Sequence, residues 1–260
     1  MYAVDPARAD SPDREPEPVA LRCRAARADD AEACAPLVFA SGMREFGFFL
    51  GEPADACTEF LAFAFASKLG RFSYRRHRVA VTEGDQPVAV LALHDGRNTW
   101  FDDPHVALML LLFFGLRRTV RMLLRGLVLE SELPAPKSSQ TLIAHCATHQ
   151  RLRGTGVFSA LFADAMRARE LMNSQTRAAH GEHDRQQLVL DVLVSNKRAY
   201  ALYRRLGFVE LPRRAPLSAR LPRELKSVRM EWLGKQQVAR KKRRPATYDA
   251  SKTQMHDAVD

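Results

Sequence analysis

The chain has 260 residues, 46% hydrophobic and 27% charged, with 13 glycines, 14 prolines and a formal net charge of +10. This profile excludes collagen-like, wholly disordered and disulfide-scaffold proteins, and at roughly 150 residues per domain it favours one elaborated domain over two equal ones. Residues 1–19 carry five acids against two arginines, residues 235–260 carry seven basic residues against three aspartates, and the body between holds 31 basic and 22 acidic residues. A basic body favours anionic ligands without choosing among phosphates, acidic lipids and nucleic acid.

Cys23, Cys34, Cys57 and Cys146 stand far apart with no CxxC pair, so neither a zinc knuckle nor a dithiol motif is written and no metal is expected. A reducing cytoplasm suits such cysteines. The N-terminus lacks the apolar core of a signal peptide. The longest apolar run, Val106 to Leu116, spans 11 residues, short of the ~20 a membrane helix needs. A soluble, cytoplasmic protein is expected.

In chain order, residues 1–18 read as an acidic, disordered tail. Ala20 to Ala26 alternates as a short strand, and Asp29-Asp30 can cap a helix running to about Ala40. A second helix covers Asp55 to Leu69. Arg78 to Thr82 and Pro87 to His94 are β-rich runs around Glu83-Gly84-Asp85-Gln86, a hairpin signature. Thr141 to Thr148 is the next strand, followed by a Gly-bearing turn and a strong helix from Val157 to about Met172. Leu188 to Val194 is a continuous apolar strand of the kind buried on both faces. Asn196 to Leu206 is a helix closed by Gly207, and Val228 to Trp232 reads as a last edge strand. Residues 235–260 form a basic, disordered tail, which leaves a domain over 19–234. Alternating strands and helices argue for an α/β sheet layered with helices.

Two motifs carry chemistry. Arg151-Leu152-Arg153-Gly154-Thr155-Gly156 lies between an apolar strand and an apolar-faced helix, where unpaired N–H groups and the positive end of the helix dipole suit a pyrophosphate. Glycines there let the phosphate approach the backbone. The P-loop and GxGxxG spacings are both absent, and such a turn alone is often only a tight turn. Some 40 residues on, Asp191 to Val194 leads into Asn196, Ala199, Tyr203, Gly207 and Phe208.

Together these resemble the GNAT superfamily of acyl-CoA-dependent N-acyltransferases. Its phosphate turn, [Q/R]xxGx[G/A], is met by Arg151, Gly154 and Gly156, and its N-x-x-A-x-x-x-Y-x-x-x-G-F unit by the second set. The resemblance covers roughly residues 20–232. It implies a mixed, splayed β-sheet of about six to seven strands flanked by helices, with acyl-CoA in the gap between two splayed strands. The pantetheine arm would run along the backbone of Cys146, Ala147 and Thr148. The pyrophosphate would take N–H bonds from Leu152, Arg153, Gly154, Thr155, Gly156 and Val157, beside Arg151, and Asn196 would bond the pantetheine or adenine side. Tyr203 would stand near the thioester sulfur and protonate the departing thiolate; the alternative is a packed helix aromatic, and Tyr200 is a weaker candidate.

The base is poorly specified. The family often uses a glutamate near the start of the central strand, where this chain has Pro136-Lys137-Ser138-Ser139-Gln140. His145 is the base candidate, with His149, Glu83 and His94 as alternatives. Cys146 is read as a small strand residue rather than a nucleophile.

Residues 98–140 form a helical insertion before the central strand, longer than the family's usual connection. Arg117, Arg121 and Arg125 recur at i, i+4 and i+8, with Leu116, Val120, Leu123, Leu124 and Leu127 mostly away from them. The readings are a helical hairpin packed on the sheet with its arginines in water, a lid over the acceptor pocket, or a peripheral surface meeting anionic lipid or a partner protein. The Arg240–Arg244 cluster could touch nucleic acid, although no aromatic interleaving accompanies it and a solvated tail is preferred. The expected activity is acetyl transfer from acetyl-CoA to an amine, on a small molecule or a protein, by direct attack in a ternary complex. The alternative is a catalytically degenerate acyl-CoA-binding or nucleic-acid-associated module of the same fold.

Overall fold

A computed structural model describes residues 21–98, 102–180, 186–212 and 220–234. Both tails of the sequence reading, 1–18 and 235–260, lie outside the described residues.

Seven strands form one sheet in the order β1-β2-β3-β4-β5-β7-β6. They are β1 (Arg22–Ala25), β2 (His77–Val81), β3 (Pro87–Asp95), β4 (Gln140–Thr148), β5 (Gln187–Leu193), β6 (Phe208–Glu210) and β7 (Ser227–Trp232). Neighbours pair antiparallel except β4 and β5, which are parallel. The β2–β3 turn forms where the sequence signature stands, with Asp85 in the left-handed region at φ 60°. Arg22, Arg24 and Arg27 all converge on the Asp85 carboxylate. One expectation is corrected: β7 lies inside the sheet between β5 and β6, and the three-residue β6 is the edge. The sequence hides β6 because Phe208 directly follows the Gly207 that ends a helix.

One face of the sheet carries α1 (Ala31–Ser41), α2 (Met43–Leu50) and α3 (Ala54–Phe65). The other carries α6 (Val157–His180) and α7 (Lys197–Leu206). Alternation along the strands divides the core accordingly: Val79, Val81 and Val90 pack with Phe60, Phe65 and Leu61, while Ala80, Leu91 and Ile143 pack with Leu161, Phe162 and Phe208.

The insertion is helical as expected, as α4 (Asp102–Phe114) and α5 (Leu116–Glu130) joined at Gly115. Its packing departs from the hairpin reading on the leucine side and at Arg125, while Arg117 and Arg121 are exposed as that reading has them. Thr119 and Met122 are buried, whereas Leu116, Val120, Leu123, Leu124 and Leu127 are exposed. Arg125 is not in water: its Nε donates to the Phe49 carbonyl at 3.0 Å and its guanidinium also binds the Leu50 carbonyl. These are end-of-helix acceptors with no partner inside α2. Gly126 permits the close approach, since a Cβ there would lie 3.1 Å from the Phe49 ring.

Candidate functional site

The site is built where two strands part. β4 and β5 pair only from Gln140–Gln187 to Ile143–Leu190. Beyond that β4 runs on to Thr148 and β5 to Leu193, so a fork opens between them. On its other side β4 stays bonded to β3, with Ala147 opposite Val90 and Thr148 opposite Ala89. The backbone of Cys146, Ala147 and Thr148 therefore borders the fork.

A bulge shapes this stretch. His145 and Cys146 together oppose the single Leu91, and His145 has φ 53°. An extra residue resets the facing of everything after it. His145 joins the α1–α3 face, stacking on Phe72 and His77 and touching Phe46. Cys146 packs on the α6–α7 face and Ala147 returns to the first.

At the end of the fork β4 enters the glycine turn. Gly154 and Gly156 have φ of 93° and 90°, values that L side chains rarely adopt. The Ala160 N–H donates to the Gly156 carbonyl at 3.0 Å, so α6 begins at Gly156 and its first N–H groups have no intrahelical acceptor. Three expectations narrow here. The Leu152 N–H is taken by the His149 carbonyl and the Arg153 N–H by the Gln150 carbonyl, which leaves Gly154 through Val157. The Arg153 side chain is held by the Thr148 carbonyl at 3.2 Å. Asn196 caps α7, its Oδ1 accepting from the Ala199 N–H at 3.1 Å. A cation that sequence reasoning missed is Arg198, whose guanidinium would lie 3.7 Å from a Cβ at Gly154. It is separated from the turn by some 40 residues of sequence, and only α7 brings it there.

Tyr203 sits on the buried side of α7, edge-on to Phe158 and Phe208. It packs in the same cluster as Cys146, across the fork from α7 to β4, and the Cys146 thiol itself donates to the Ala144 carbonyl at 3.6 Å. Burial, and then the neighbouring Cys146, hold the phenol well above its usual pKa, so it keeps its proton. Burial also pushes the Cys146 thiol up to about 12, which makes it an unreactive thiol rather than a nucleophile. Tyr200 is occupied elsewhere, donating to Glu210 at 2.5 Å.

Three histidines meet on the opposite face. His77 Nδ1 lies 2.8 Å from the Ser73 carbonyl, and His77 Nε2 lies 2.9 Å from His145 Nδ1. A carbonyl only accepts, so His77 Nδ1 carries the hydrogen. Burial depresses the His77 pKa to about 4, so this ring is neutral and its Nε2 accepts from His145 Nδ1–H. His145 is neutral for the same reason, and its Nε2 holds a lone pair. His145 is partly exposed, while His77 and His94 are buried. His94 stands edge-on to His145, and neither of its ring nitrogens has a partner among the described residues. Of the other candidate bases, His149 and Glu83 are exposed. His77 was not foreseen, because its role depends on the bulge that turns His145 toward it.

Helix α2 walls this face: Phe46 touches His145, and Arg44 donates to the Ser195 hydroxyl at 3.0 Å, reaching the end of β5. Burial raises the pKa of Glu45 beside them, and its Oε2 is buried without a partner among the described residues. No group of His, Cys, Asp or Glu among the described residues is arranged to hold a metal ion.

Solved structures carry the same arrangement of elements. An N-acetyltransferase from Staphylococcus aureus Mu50 superposes with a TM-score of 0.58 at 16% identity, over 81% of this chain and 99% of that one. The chain shares the fold of that acetyltransferase. A second acetyltransferase superposes at 0.53 and 18% identity, over 81% of this chain and 98% of that one. No protein-family model matches the sequence, and no curated protein matches it. The likeness is thus one of architecture.

Proposed function

We propose that the protein is an N-acetyltransferase that moves an acetyl group from acetyl-CoA to an amine by direct attack. The observation that carries this reading is the fork between β4 and β5, ending on the positive terminus of α6 with a protonated tyrosine across it. The backbone of Cys146, Ala147 and Thr148 would pair with the pantetheine amides as an added strand would. The pyrophosphate would sit on the N–H groups from Gly154 to Val157, with Arg151 and Arg198 supplying charge.

The amine nitrogen attacks the thioester carbonyl, and the N–H of the tetrahedral adduct becomes acidic. His145 Nε2, directly or through one water, takes that proton. His77 and the Ser73 carbonyl hold the imidazole in the tautomer that can accept it. When the C–S bond breaks, the sulfur takes the Tyr203 proton, and solvent returns the two side chains to their starting states. Holding the reactants in the fork supplies much of the acceleration. The acceptor, a small-molecule or protein amine, would enter from the α2 side, where Glu45 offers a carboxyl group to an ammonium.

The test is calorimetric titration of acetyl-CoA and of CoA into wild type, Gly154→Glu and Arg198→Glu. Micromolar binding is expected for wild type. Gly154→Glu should abolish it and Arg198→Glu weaken it, with melting temperatures showing that each variant folds. No binding by folded wild type ends the transferase reading. Binding without turnover of any amine would instead support a catalytically degenerate acyl-CoA-binding module.

A further inference from the structure

The least expected surface of the molecule is the outer face of α4 and α5. Leu108, Leu111 and Leu112 of α4, with Leu116, Val120, Leu123, Leu124 and Leu127 of α5, are between 37% and 69% exposed. Positions 116, 120, 124 and 127 recur at the spacing that lines one side of a helix. Eight large apolar side chains on two contacting helices exceed the scattered exposure normal for a soluble surface. The face is not an unfilled core position: α5 already buries Thr119 and Met122 and is fastened to α2 through Arg125. The two helices themselves contribute one sign of charge to it, Arg118 being paired with Glu52 at 3.5 Å. No acidic residue occurs from position 104 to 129, while Arg117, Arg118 and Arg121 are exposed there.

We infer that this α4–α5 face docks on an anionic lipid bilayer, lying in its interface rather than crossing it. Three features select that occupant. A second copy in a two-fold dimer would meet this face with the same face, which sets the arginines of one copy near those of the other on a chain of net charge +10. A protein partner is usually gripped through Trp, Tyr and Arg, with Leu and Val under-represented, whereas the exposed apolar set here is seven leucines and a valine. An interfacial helix needs a broad aliphatic side with arginines beside it, attracted by acidic headgroups. No single helix among the described residues is long and apolar enough to cross a membrane, so the contact is peripheral. This inference is independent of the transferase reading.

The test is co-sedimentation of the full chain with phosphatidylcholine vesicles and with vesicles containing phosphatidylglycerol. Binding to the anionic vesicles is expected, weakening as salt is raised. It should be lost in Leu124→Glu/Leu127→Glu and be roughly tenfold or more weaker in Arg117→Glu/Arg121→Glu. All four positions are exposed, so both variants should melt with wild type, which separates loss of docking from loss of fold. Four results overturn the inference: no sedimentation by wild type; equal binding to neutral vesicles; binding that survives both double variants, which assigns it to the Arg240–Arg244 cluster; or a wild-type dimer that Leu124→Glu/Leu127→Glu makes monomeric, which gives the face to a second copy. Binding that requires deletion of residues 1–20 would make that acidic segment the occupant, and would overturn it as well.

Discussion

At position 145 the chain adopts φ 53°, a conformation that costs a non-glycine residue on the order of 1–3 kcal/mol. Stacking on Phe72 and His77 and the hydrogen bond to His77 hold it there. The same strain places an imidazole and a thiol on opposite faces of one strand, the imidazole beside α2 and the thiol beside Tyr203. The two proposed proton transfers are therefore separable. Tyr203→Phe should lower kcat by about 10²–10⁴ and leave acetyl-CoA affinity within a few-fold, read by steady-state kinetics and calorimetry together. His145→Gln should lower kcat and remove the acid limb of the kcat/KM pH profile. His77→Gln should shift that limb without abolishing it, since His77 touches the base and not the acceptor. An acid limb unchanged in both histidine variants would exclude the chain from Ser73 to His145 as the proton acceptor.

At the scale of elements, Arg125 is the more buried polar anchor of α5, beside an outer Arg118–Glu52 pair at 3.5 Å. Arg125 binds the carbonyls of Phe49 and Leu50 at the C-terminus of α2, where Gly51 turns the chain at φ 62°. Hydrogen bonds to charged groups are worth about 1.5–3 kcal/mol, so Arg125→Ala should destabilise by about 2 kcal/mol and lower Tm by roughly 4–8 °C. Leu124→Ala, one residue away on the exposed side, should change Tm little. Equal losses in a thermal melt would mean that α5 buries its leucine side instead. Because α2 also carries Phe46 against His145, Arg125→Ala should raise the acceptor KM more than that of acetyl-CoA.

For the whole molecule the three clustered histidines set the response to acid. Each has its pKa lowered in the folded state, foremost by burial, so the unfolded chain binds more protons and stability rises with pH. Their contribution is complete above the unfolded pKa of ~6.5 and is lost as pH falls toward the folded values, about 4 for His77. That shift alone corresponds to about 3 kcal/mol. The carboxyls of Glu45, Asp102 and Asp191 are shifted upward by burial and act with opposite sign, starting from unfolded values near 4. Below pH ~6.5 the histidines lower stability as pH falls. The urea midpoint should fall between pH 7.5 and pH 5, and His94→Leu should flatten that slope because His94 has no hydrogen bond to lose. A midpoint independent of pH over this range would mean that the cluster is solvated.

Local rules were sufficient for much of this architecture. Period-2 and period-3.6 hydrophobic patterns, the Asp85 hairpin and the Gly207 helix stop are properties of neighbouring residues, so the hairpin, β4, β5, α1, the start of α6 and α7 could be read along the chain. So could the glycine turn, since positive φ at Gly154 and Gly156 follows from short-range sterics. Helix α2 was missed because Gly42, Gly47 and Gly51 punctuate it, and tertiary contacts with α5 outweigh their low propensity. The bulge at His145 is set by pairing with β3, the approach of Arg198 by the packing of α7, and the exposure of the α5 leucines by which side of the helix meets α2. Each of these depends on partners distant in sequence, and an amphipathic pattern does not state which of its faces the tertiary structure will cover.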